Sequence, residues 1–123
     1  MKLASIDVGT NSTRLLIAES DGETTRTLDR RMVITRLGEG VDRERRLLDR
    51  AMERTGMVLA EYKEACDELG VGAIRAAATS AVRDCENAGE FFRIAAQALG
   101  TGIEVLTGEE EALLSFRGAI SDI

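Results

Sequence analysis

Asp7, Gly9, Thr10, Asn11 and Ser12 fall within one short stretch between two apolar segments, 3–8 and 15–18. Two strands joined by such a polar stretch form a tight hairpin. A hairpin rich in glycine, hydroxyl and amide side chains can turn several backbone N–H groups toward one point. A concave set of donors of that kind binds an anion, most often phosphate. A carboxylate beside it, here Asp7, is the natural holder of a hydrated divalent cation that offsets phosphate charge. Turns also favour Gly, Thr, Asn and Ser on conformational grounds alone. An ordinary turn is therefore the alternative at this point, with Asp7 bonding nearby amides.

The second chemically loaded stretch is Thr107-Gly108-Glu109-Glu110-Glu111. It follows an apolar segment and opens a helical run. Thr107 and Glu110 stand at capping-box spacing, so Thr107 caps the amide of residue 110 and Glu110 reaches back to the amide of Thr107. That assignment leaves Glu111 without a structural role. Acidic residues also suit a first helical turn on dipole grounds, which is the plainer reading of all three. The chemical reading makes Glu111 a general base that takes a proton from a water attacking phosphorus. Phosphoryl transfer otherwise needs positioning and charge neutralisation. Arg83 could clamp phosphate oxygens, or form a surface ion pair with Asp84 or Glu86. Gly38 and Gly40 do not open a helix after a strand, so they read as loop glycines rather than a dinucleotide fingerprint. Arg43, Arg45 and Arg46 read as a solvated cluster.

These groups must be held by ordinary elements. Segments 3–8 and 13–19 read as a strand pair, and Asp21-Gly22 as the next turn. Segment 24–36 reads as a third, more polar strand. Residues 47–69 are expected to be helical, because Leu48, Met52, Val58, Leu59, Tyr62, Cys66 and Leu69 form one apolar stripe that Gly70 ends. Segment 71–78 reads as an Ala-rich strand, 87–99 as a helix with Phe91, Phe92, Ile94, Ala95, Ala98 and Leu99 inward, and 103–106 as a short strand. A last helix begins at Thr107. The order β-β-β-α-β-α-β-α predicts an α/β fold: a mixed five-stranded sheet with helices on its faces, ribonuclease H-like. Ligands in such sheets sit at loops outside the strand ends.

Composition narrows the class. The 123 residues suit one domain, and 44% apolar residues suffice for a core. A formal net charge of −6 argues against binding nucleic acid by charge. Two cysteines far apart and no histidine argue against zinc and for free thiols. No leader pattern opens the chain, and no apolar run approaches the roughly 20 residues of a membrane span. A soluble, cytoplasmic protein without a membrane partner is expected.

Four stretches in register carry a resemblance. They are Ile6-Asp7-Val8-Gly9-Thr10-Asn11-Ser12, Arg36-Leu37-Gly38-Glu39-Gly40-Val41, Ala78-Thr79-Ser80-Ala81-Val82-Arg83, and Ile103-Glu104-Val105-Leu106-Thr107-Gly108-Glu109-Glu110-Glu111-Ala112. Together they resemble the N-terminal half of the exopolyphosphatase/guanosine pentaphosphate phosphohydrolase family, within the actin-like superfamily. The resemblance implies Mg²⁺-dependent hydrolysis of a terminal phosphoanhydride in inorganic polyphosphate or guanosine pentaphosphate. It implies Glu111 as catalytic base, with Asp7, Asn11 and Arg83 around phosphate and metal, and Gly9, Thr10 and Ser12 on the same loop. It further implies that residues 1–123 form one lobe of a two-lobed enzyme. A C-terminal lobe would bring a second glycine-rich loop, an aspartate followed by consecutive glycines and a serine. No such motif occurs here, so little turnover is expected from this chain alone, and an uncovered face could drive self-association. An actin-like kinase lobe and a non-catalytic module that binds nucleotide or polyphosphate are the competing readings.

Overall fold

Alternation of side chains decides which face of β1 (Lys2–Val8) enters the core. Ala4, Ile6 and Val8 are buried, whereas Leu3 and Ser5 are exposed and Asp7 is half-buried. The computed structural model describes residues 1–106. The same period of two runs through β2 (Ser12–Ser20), where Thr13, Leu15 and Ile17 turn inward. β3 (Thr25–Ile34) follows, then α1 (Val41–Glu44), α2 (Asp49–Leu69), β4 (Ala73–Thr79), α3 (Ser80–Arg83), α4 (Ala88–Leu99) and β5 (Ile103–Leu106). The elements expected up to residue 106 are present, to within two residues at most boundaries. The one-turn helices α1 and α3 were not expected, because four residues are too few to show a period.

The sheet order is β3-β2-β1-β4-β5. Short hairpins make β1–β2 and β2–β3 antiparallel, and helical crossovers make β1–β4 and β4–β5 parallel. This is the mixed five-stranded arrangement that the sequence implies. The described helices α2 and α4 share one buried cluster with the inward residues of β1, β2 and β4. The helix expected from Thr107 lies outside the described residues. On the opposite sheet face Leu3, Met32 and Ile34 remain exposed.

α2 packs through Ala51, Met52, Thr55, Val58, Leu59, Tyr62, Ala65 and Cys66. It stops where Gly70 takes φ 72°, with its N–H bonded to the carbonyls of Asp67 and Cys66. Gly56 lies in mid-helix, where glycine costs about 1 kcal/mol. A Cβ there would stand 2.9 Å from Ile94 Cγ2, so its absence lets α4 approach α2. α4 then buries Ala88, Phe91, Ala95 and Leu99. Cys66 and Cys85 are free and buried. Burial pushes both thiols above the usual value, which disfavours the nucleophilic thiolate. No helix among the described residues is long and apolar enough to cross a membrane.

Tyr62 joins helix to sheet: its buried hydroxyl donates to the Thr13 carbonyl at 2.7 Å. Tyr62→Phe removes that donor and leaves a buried carbonyl short of a partner. It is expected to lower the unfolding free energy by about 1–2 kcal/mol in urea titrations; an unchanged midpoint and slope would show that the bond adds nothing.

Candidate functional site

The connection between β1 and β2 is residues 9–11, and the carbonyls of Thr10 and Asn11 are both taken. Ser12 O accepts the Gly9 N–H at 2.9 Å, and Thr10 O accepts the Gly38 N–H at 2.8 Å. Asn11 O accepts two amides, those of Thr35 at 3.1 Å and Arg36 at 3.0 Å. Among the described residues, the amides of Thr10 and Asn11 find no backbone acceptor. Both residues are exposed. The Thr10 carbonyl and the Asn11 amide share one peptide unit, so the inward bond from Gly38 leaves the Asn11 N–H outward, and with the Thr10 N–H it makes a pair of donors that suits an anion.

Segment 35–39 buttresses this loop. The hydroxyls of Thr13 and Thr35, both buried, lie 2.7 Å apart. Arg54 reaches across from α2, with Nε donating to Thr35 O at 2.6 Å and Nη2 to Arg36 O at 3.2 Å. Glu39 accepts from Arg50 Nε at 3.2 Å and lies 3.8 Å from Arg54. Gly38 packs so closely that a Cβ would stand 2.9 Å from Thr10 Cβ. Sequence reasoning read Gly38 as an ordinary loop glycine. Its closeness to Thr10 is a long-range packing fact, and no local spacing announces it.

Asp7 lies on the face opposite the helices, level with Arg14 on β2 and Ala77 on β4. Burial lifts its carboxyl above the usual carboxylate range, and the Arg14 charge opposes that shift. Thr79, two residues beyond Ala77, has a buried hydroxyl oxygen without a hydrogen-bond partner among the described residues. Such an orphan is uncommon. Arg83 ends α3, directly after β4, with its Nε 3.7 Å from Asp84 Oδ1 and both side chains largely exposed. This is the surface ion pair that the sequence offered as the alternative to a phosphate clamp. Of the expected acidic segment, Thr107, Glu110 and Glu111 lie outside the described residues. The chain runs toward them from Leu106, which pairs with Thr79.

The parallel pairing fixes a common edge. Val8 is level with Ala78, and Thr79 with Leu106. The loop after β1, the helix bearing Arg83 after β4 and the end of β5 are therefore on one side of the sheet. β1 and β5 are two strand spacings apart, about 10 Å. The structure thus brings Asp7, Gly9, Thr10, Asn11, Ser12 and Arg83 to the same sheet edge. No group of three or more Cys, Asp or Glu able to hold a metal occurs among the described residues. Two surface grooves lie elsewhere, one between α2 and α4 around Met57 and one on the open sheet face around Leu3 and Arg75.

The model of the Ppx/GppA phosphatase family matches residues 16–123. Exopolyphosphatase 2 of Mycobacterium tuberculosis (strain ATCC 25618 / H37Rv) is 41% identical over 131 residues, covering 99% of this chain and 41% of that protein. The crystal structure of the Aquifex aeolicus member of the Ppx/GppA family superposes with TM-score 0.86 at 40% identity. That match covers 90% of this chain and 36% of the Aquifex chain. An exopolyphosphatase from Cytophaga hutchinsonii gives TM-score 0.88 at 30% identity, over 97% of this chain and 38% of its own. The chain thus spans about two-fifths of the length of these relatives. Thermus thermophilus RuvC shares the fold alone, with TM-score 0.53 at 19% identity.

Two outcomes follow from the site. Gly38→Ala forces Thr10 or the buttress to move and is expected to destabilise the chain by about 1–3 kcal/mol. The amide resonances of Thr10 and Asn11 should shift with it; unperturbed resonances and stability would remove the buttress role. For Asp7, the raised value means that the folded chain holds the proton to higher pH than the unfolded chain does. The stability this group contributes is present below the unfolded value and is lost as pH rises through the folded one. Asp7→Asn is therefore expected to be more stable than the parent at neutral pH in urea titrations. The advantage should vanish in acid below the ordinary value of 3.8; equal stability at both pH values would contradict the burial effect.

Proposed function

Because this chain belongs to the Ppx/GppA phosphatase family, we propose that it is the phosphate-binding lobe of an enzyme that hydrolyses the terminal phosphoanhydride of inorganic polyphosphate or guanosine pentaphosphate. In this reading residues 1–123 meet a second lobe carrying another glycine-rich loop, and the first lobe alone turns over little. The observation that supports the proposal is the shared sheet edge, where the parallel strands bring together the loop after β1, the helix bearing Arg83 and the end of β5.

The roles follow from the chemistry of each group. The free amides of Thr10 and Asn11, with the Ser12 hydroxyl, receive oxygens of the terminal phosphate, and Gly9 keeps the approach open. Arg83 exchanges its exposed contact with Asp84 for a phosphate oxygen, since an exposed ion pair is worth little. Glu111 takes a proton from water. The water oxygen bonds to the terminal phosphorus, the bridging P–O bond breaks, and its electron pair stays on the shortened chain.

A divalent cation fits this donor set. Mg²⁺ keeps most of its water and needs only one or two carboxylates with substrate phosphates. Asp7 supplies one carboxylate, and the orphaned Thr79 hydroxyl on the same face is available to a coordinated water. When bound, Mg²⁺ would offset the charge gathering on the phosphoryl oxygens. Lifting of the Asp7 carboxyl by burial is the tendency that a nearby cation reverses.

In the intact gene product, Glu111→Gln is expected to cut phosphate release from polyphosphate by about 10²–10⁴-fold. Binding of polyphosphate should persist. Turnover within a few-fold of the parent would end the general-base assignment, and absence of hydrolysis in the parent with Mg²⁺ present would end the proposed function.

A further inference from the structure

Arg36 is exposed, yet its backbone sits in the left-handed region at φ 50°. For a residue with a long side chain that conformation costs roughly 1–2 kcal/mol, whereas glycine adopts it freely and asparagine with less strain. The conformation itself has a structural reason. It lets consecutive amides, Thr35 and Arg36, both donate to Asn11 O, while Arg54 holds the Arg36 carbonyl. The backbone geometry explains the turn but not the arginine. Arg45 shares the conformation, but its backbone bonds to Val41 and Glu86 rather than to the loop.

The charge around Arg36 is unbalanced. Glu39 is acted on by three cations, Arg50 first, then Arg54 and Arg36. Its carboxylate bonds to Arg50 and lies near Arg54, and the Arg36 guanidinium forms no ion pair or hydrogen bond with a described residue. Among the described residues three guanidiniums thus act on one carboxylate, on the segment whose amides bond the Thr10 and Asn11 carbonyls. A residue kept in a strained conformation points to a function when its side chain is free to act.

We propose that Arg36 is a further substrate contact, a cationic arm that binds phosphate oxygens of a polyanion seated on the 9–12 loop. The proposal rests on the proposed function, because it takes the polyanion to be inorganic polyphosphate. A guanidinium suits a chain of phosphates, since its planar fork binds two oxygens at once. Arg36 is rooted on the residue that bonds the loop, so its arm moves with the loop and adds no hinge.

The test separates the side chain from the backbone. Arg36→Gly and Arg36→Asn both suit the left-handed conformation, so the melting temperature should stay level or rise. Isothermal titration of the intact gene product with inorganic polyphosphate of defined length, at several salt concentrations, reads the contact. Both variants are expected to bind about tenfold more weakly, as for loss of one charged hydrogen bond. The salt dependence should fall by about one released counterion. Parent-like affinity and salt dependence in both variants overturns the proposal and leaves the proposed function standing. Loss of stability in both variants also overturns it, because the arginine is then structural. A parent protein that binds no polyphosphate overturns the proposed function, and the arm with it.

Discussion

The loop after β1 depends on where its carbonyls go. A peptide unit that turns its C=O inward turns its N–H outward, and segment 35–38 takes the carbonyls of Thr10 and Asn11. This segment is itself pinned from below. Thr35 shares a buried hydroxyl contact with Thr13, whose carbonyl receives the Tyr62 hydroxyl from α2. Arg54, the residue before the buried Thr55 on α2, holds the Thr35 and Arg36 carbonyls. The loop is thus tied through a few short polar bonds to the most buried part of the core. Buried polar contacts of this kind are modest in net stability but costly to leave half-made, so they fix one geometry.

Topology supplies what the loop lacks. A hairpin alone offers two amides and a carboxylate. The parallel strands β4 and β5 add their own ends at the same edge, because the helical connections before them return the chain in the same direction as β1. The Ala-rich interior of β4 helps. Ala76, Ala77 and Ala78 are all buried, and their small side chains let the central strand sit between neighbours on both faces. What gathers at this edge therefore follows from chain direction as much as from any side chain.

The regular elements were legible because their signals are local. The α2 stripe repeats at helical spacing, and the β1 and β2 alternation repeats at two, so each element names its own inward face. Asp7 and residues 9–12 were legible as a pair of strands with a polar turn between them. Arg83 was legible only as one of two options, and its ion pair with Asp84 shows why both chemical and surface readings attach to the same residue. The Gly38 and Arg36 roles were not legible. Gly38 has no positive φ to betray it, only a neighbour 28 positions earlier in the chain, and the Arg36 conformation follows from a bond to Asn11 that no spacing encodes. Likewise α1 and α3 are too short to leave a periodic trace.

Apart from the left-handed Arg45, whose backbone bonds Val41 and Glu86, the unfavourable features of the described chain lie near one another. Asp7 is half-buried as a carboxylate, Thr79 hides a hydroxyl without a partner, and Arg36 holds a left-handed backbone. Asp7 and Thr79 share a sheet face near the strand ends, and Arg36 bonds the loop that follows Asp7. The helix-packed face contains no comparable exception: its buried hydroxyls of Thr13, Thr35, Thr55 and Tyr62 are all bonded. A sequence that satisfies its core and leaves several locally poor choices together at one edge has a reason at that edge other than folding. Each poor choice is also of a kind that a bound, hydrated polyanion would relieve. A cation would favour the ionised carboxylate, a coordinated water would reach the hydroxyl, and phosphate oxygens would occupy the guanidinium.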